Sequence, residues 1–100
     1  MIDYTSKEII IYVKDAVRDT IKNMFKPQTK DDKTLLNIVL SDMDIEVFKN
    51  GDINVYFNSV YDLDWLKTRC SCFENNIKMT LNSLGETIRL IFNTYDYIYD

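Results

Sequence analysis

One hundred residues, 46% of them hydrophobic, are enough for one domain (1–100) with its own core and exclude a disordered chain. The net charge is −4, and its acidic excess is concentrated: residues 42–64 hold six Asp/Glu and one Lys, whereas residues 1–34 hold seven Lys/Arg against six Asp/Glu. Free nucleic acid and anionic membrane surfaces, both bound through Lys/Arg clusters, are therefore poor partners, and a basic protein surface is a suitable one.

The first predicted element is a helix over Thr5–Phe25. Thr5 and Glu8 have the spacing of a capping box, with Tyr4 and Ile9 placed as a hydrophobic staple. Ile9, Val13, Ala16, Val17, Ile21 and Met24 form one apolar stripe at helical spacing. Lys22 and Lys26 suit the C-terminal end of the dipole, and Pro27 forbids continuation. Residues 27–33 read as a loop, and the apolar run Leu35–Leu40 as a short strand turning at Ser41-Asp42.

Asn50-Gly51 is the strongest hairpin signal in the chain. A two-residue loop would pair Phe48 with Ile53 and Glu46 with Val55, mixing charged and apolar residues on one face. A three-residue loop, Lys49-Asn50-Gly51, with Gly51 left-handed in a bulge, pairs Val47 with Ile53, Ile45 with Val55 and Met43 with Phe57. One face is then wholly apolar, and the other carries Asp44, Glu46, Phe48, Asp52, Asn54, Tyr56 and Asn58. Register follows that segregation, so the three-residue loop is expected. The run Leu35–Leu40 would add a third strand and bring Leu35, Asn37 and Val39 to the acidic side.

Beyond Asp62 the period changes. Leu63, Leu66, Cys70, Phe73, Ile77, Leu81 and Leu84 predict one long helix, with Asp62 and Asp64 in its first turn. Ile88, Ile91, Phe92, Tyr95, Ile98 and Tyr99 repeat the spacing as a second helix, with Ser83 and Glu86 placed to cap it. A hairpin competes over residues 76–93, because Ile77, Met79 and Leu81 alternate, as do Ile88, Leu90 and Phe92; length favours helices. The expected fold class is α+β: an N-terminal helix, a three-stranded antiparallel meander and two C-terminal helices, αβββαα. Two helices fill one face of so narrow a sheet, so the third lies in a second layer or covers the other face.

The side-chain inventory excludes most catalysis. There is no histidine, which removes imidazole bases and metal ligands, and two glycines cannot build a phosphate-cradling loop. Neither enzyme activity nor a cofactor is expected. Cys70 and Cys72 are too few for a disulfide framework and read as one core residue and one bystander. Asp42, Asp44 and Glu46 open like a calcium loop, but Val47 stands where glycine is required and Ile53 where the bidentate acid belongs, so no metal is assigned. Asp62 and Asp64 read as first-turn acids rather than a catalytic pair. With neither a signal peptide nor a membrane-spanning run in view, the expected compartment is the cytoplasm of the host cell.

What remains is the outward face of the hairpin. Its acids and rings repeat at strand spacing, and Tyr and Phe are enriched in protein interfaces. Tyr95, Tyr97 and Tyr99, with Asp96 and Asp100, form a second aromatic-acidic segment. A short acidic chain running helix, three-stranded meander, helices resembles phage-encoded type II anti-CRISPR proteins, which block a nuclease by imitating DNA. The resemblance lies in element order and acidity and includes no shared motif. It implies a non-enzymatic inhibitor of a basic nucleic-acid-binding protein and carries over no functional residue; from the hairpin face itself, Asp44, Glu46 and Asp52 read as charge mimics and Phe48 and Tyr56 as anchors. Two other readings stand beside it: an immunity protein or antitoxin masking a toxin nuclease, and a structural or assembly protein that self-associates, as a homodimer or larger, through its sheet edge or tyrosine tail.

Overall fold

The computed structural model describes residues 3–70, 72–84 and 88–95. Its first helix, α1 (Lys7–Met24), buries the predicted stripe at Val13, Val17 and Ile21. The cap lies one residue later than expected. The Asp3 carboxylate accepts from both the backbone and the hydroxyl of Thr5, which occupies that side chain, and Ser6 Oγ accepts from Ile9 N at 3.3 Å instead.

The run Leu35–Leu40 is not a strand. It belongs to a second helix, α2 (Lys30–Asp42), which buries Leu36, Val39 and Leu40. Thr29 caps it by accepting from Asp32 N at 3.0 Å, and Asp31 and Asp32 stand in its first turn. Those start signals fall inside the segment expected to be a loop. A six-residue apolar run has no period long enough to overrule them.

The hairpin forms in the expected register. Strand β1 (Asp44–Val47) pairs antiparallel with β2 (Asp52–Phe57), with Ile45 opposite Val55 and Val47 opposite Ile53. Gly51 N donates to Phe48 O at 3.0 Å and Phe48 N to Asp52 O at 2.8 Å. Gly51 has φ 94°, a left-handed conformation that costs any other residue its Cβ clearance. Met43 is buried at the end of α2 rather than paired with Phe57.

The long C-terminal helix is two helices, α3 (Val60–Arg69) and α4 (Phe73–Leu81), and a 3-10 turn over Asn82–Leu84 follows. Cys70 leaves the helical conformation at φ −137°, ψ 73°, yet Leu66, Cys70, Phe73 and Ile77 all remain buried. A stripe records which residues face the core, not whether the backbone between them is continuous. Arg69 ends α3 by reaching Asp32 at 3.0 Å while lying 5.8 Å from the Trp65 ring centre, which ties α3 to α2.

The second expected helix is a strand, β3 (Arg89–Thr94), running parallel to β2. The competing hairpin is therefore half realised: residues from Ile77 to Leu81 are helical and those from Arg89 extended. The sheet order β1-β2-β3 places β2 in the centre, where both its backbone edges are paired. The architecture is thus a mixed three-stranded sheet in the order ααββααβ, not an antiparallel meander in the order αβββαα. The order on which the anti-CRISPR resemblance rested is not the order of this chain.

Among the described residues all four helices contribute to one core with the inward side chains Ile45, Ile53, Val55, Phe57 and Leu90. Phe92 packs between Phe57 and Phe73, at 6.1 and 5.3 Å between ring centres. The Tyr4 hydroxyl donates to Leu84 O at 3.1 Å, which ties the N-terminal segment to the turn after α4. Among the described residues no helix is long and apolar enough to cross a membrane.

Candidate protein-binding face

Alternation along three paired strands sends every second side chain outward. Cross-strand partners share a face, so the outward residues form rows. Phe48, Asp52 and Arg89 make one row, Glu46, Asn54 and Ile91 the next, and Asp44, Tyr56 and Asn93 the third. All seven residues expected from the sequence lie outside the core, with Asp44, Glu46, Phe48 and Asn58 exposed and Asp52, Asn54 and Tyr56 half-buried. Leu35, Asn37 and Val39 are not on this face, because they belong to α2.

Strand β3 supplies what the sequence reading lacked. Arg89 sets a guanidinium nitrogen 3.4 Å from Asp52 Oδ2, so one cation stands among the acids. Asp52 Oδ2 also accepts from Asn50 Nδ2 at 3.2 Å. At the other end of the sheet Tyr95 stacks on Tyr56, with ring centres 5.4 Å apart and planes 14° apart, and its hydroxyl donates to Asp44 Oδ2 at 3.3 Å. These contacts fix two carboxylates in place and leave Glu46 between them. The signal for β3 was present as the alternation Ile88, Leu90, Phe92, but its pairing with β2 is non-local.

Both tyrosines titrate above their ordinary range. Burial raises Tyr56 most, the Glu46 charge adds to this, and a hydrogen-bonding contact with Asn54 pulls the other way. Burial likewise leads for Tyr95, followed by the Asp44 charge. Asn54 Oδ1, on the same face, is shielded from solvent and has no hydrogen-bond partner.

At the hairpin end of this face lies an open depression of about 340 Å³, lined by Phe48, Lys49, Asn50, Asp52 and Asn54. Lys49 also acts on Asp3, whose carboxyl is held below its ordinary value first by the two Thr5 hydrogen bonds and to a smaller degree by the Lys49 charge.

Elsewhere, Asp62 sits in the first turn of α3 as expected, capped by Ser59. Cys70 is buried, with burial pushing its thiol up, and Cys72 is exposed; neither forms a disulfide. Tyr97, Tyr99, Asp96, Asp100 and Glu86 lie outside the described residues, as does the Ser83 side chain. Comparison with protein-family models, with curated proteins and with solved structures finds no match, so function rests on the chemistry of this face.

Proposed function

We propose that this protein is a non-enzymatic inhibitor that docks its outward sheet face on the basic, nucleic-acid-binding surface of another protein. The observation that carries this reading is the exposure of Glu46 and Phe48 on a sheet face whose opposite side packs on the core of the described residues. Carboxylates held on a rigid strand stand in for phosphates at Lys/Arg sites, and the rings supply contact area that excludes water. The acids that act most directly are Asp44 and Glu46, since Asp52 already shares its charge with Arg89. A chain without histidine and with so few glycines adds support for binding rather than catalysis.

The test is capture of partners from the source cell at about 0.05 M and 0.5 M salt, with wild type and an Asp44→Lys, Glu46→Lys variant. Screening over a Debye length of about 10 Å at 0.1 M makes a charge-led complex salt-sensitive. The reading expects a nucleic-acid-binding protein that is retained at low salt, released at high salt and lost in the variant. Equal capture by both proteins at both salts overturns it.

A further inference from the structure

Resting on that reading, we infer that Tyr95, outside both strands of the hairpin, is a positioning residue of the docking face and acts by holding the Asp44 carboxylate in place for the partner. Three contacts close a ring at the end of the sheet away from the hairpin turn. Asp44 and Tyr56 are cross-strand partners on β1 and β2. Tyr56 and Tyr95 stack at 5.4 Å and 14°. The Tyr95 hydroxyl completes the ring by donating to Asp44 Oδ2 at 3.3 Å.

An exposed aspartate is ordinarily free to turn, and ordering it on association costs affinity. Asp44 is exposed, yet both its oxygens are engaged in the free protein. Oδ1 accepts from the neighbouring Ile45 N at 3.0 Å, and Oδ2 from Tyr95. The first contact is local to β1. The second exists only once β3 has joined the sheet and set Tyr95 down just beyond its end.

The kind of donor matters as much as its place. A cation would orient the carboxylate and cancel its charge, as Arg89 does to Asp52. A phenol orients it and leaves the charge whole. Burial and the Asp44 charge keep the Tyr95 proton on the oxygen beyond its ordinary range, so the donor persists at neutral pH. Among the described residues neither Asp44 nor Glu46 is in an ion pair. This end of the face therefore presents negative charge that is held but not spent.

The test is a double-mutant cycle on the full chain, with a fluorescent oligo-arginine peptide as the basic probe at about 0.05 M salt, read by anisotropy. Tyr95→Phe keeps the stacked ring and loses only the donor. It should weaken binding about threefold to fivefold, the scale of ordering one side chain. The same change made in Asp44→Asn should cost nothing further, because Tyr95 acts through Asp44. The Ile45 amide resonance should move in Tyr95→Phe, since the carboxylate it donates to has lost its second anchor. Wild-type affinity in Tyr95→Phe, an unmoved Ile45 amide, or an equal loss in both backgrounds each overturns the inference. If Asp44→Lys, Glu46→Lys loses the peptide while Tyr95→Phe binds as wild type does, the role of Tyr95 is wrong and the docking face stands. If the charge-reversed variant binds as tightly as wild type, the docking face is wrong and the inference falls with it.

Discussion

Asn54 occupies the centre of the outward face, between Glu46 and Ile91, and its side-chain oxygen is shielded and unpaired. Leaving an acceptor desolvated costs more than the average hydrogen bond returns, so the wild-type residue destabilises the free protein. Asn54→Val removes the orphan oxygen and places a β-branched residue on a central strand. It should raise stability by about 1 kcal/mol, or about 4–8 °C in Tm for a chain of this size, measured by thermal unfolding. Such a gain would mark a residue kept for something other than stability.

Tyr56 makes a second residue-scale argument. Its native pKa and that of Tyr95 are raised, so the folded state holds both phenolic protons more tightly than the unfolded chain does. The stability they contribute is complete below the unfolded value of about 10 and is lost as pH rises through the native values. An absorbance titration at the tyrosinate band should show a component displaced upward. Glu46→Gln should move Tyr56 back toward its ordinary value, because it removes the charge that acts second after burial. An unchanged titration in that variant would show that burial alone sets the shift.

At the scale of elements, what could be read depended on how locally each element is determined. The hairpin was legible because Asn50-Gly51 and the segregation of two faces lie within one short stretch, and both register and bulge follow from them. So was the binding face as far as β1 and β2 build it. Strand β3 was not, because its partner β2 is more than thirty residues away and nothing in Ile88–Phe92 names it. Arg89 on β3 and Tyr95 just after it, which contact Asp52 and Asp44 on the face, were missed for the same reason. Helix α2 failed differently: its cap and first-turn acids were in view but outweighed by the apolar run behind them. The local control of the hairpin gives a test. Gly51→Ala forces a Cβ into φ 94° and should cost about 1–2 kcal/mol in urea unfolding, more than a surface substitution. A loss below about 0.5 kcal/mol would show that the turn relaxes and does not dictate the register.

For the whole molecule, the sheet separates two tasks. Helices and inward side chains form one core on one side, and the outward rows carry acids, rings and an unmet acceptor on the other. Stability and binding should therefore respond to different substitutions. Ile77, fully buried on α4, lies on the core side, so Ile77→Val should cost about 1 kcal/mol of stability and leave partner capture unchanged. Glu46, exposed on β1, should show the reverse: Glu46→Lys should leave stability within about 0.5 kcal/mol and weaken capture most strongly at low salt. Thermal unfolding and capture measured on the same two variants give four results, and the separation requires all four. If Ile77→Val weakened capture in proportion to its loss of stability, the outward rows would owe their geometry to the tightness of the core behind them. The sheet would then transmit packing to the interface rather than insulate one from the other, and affinity would have to be tuned through both faces together.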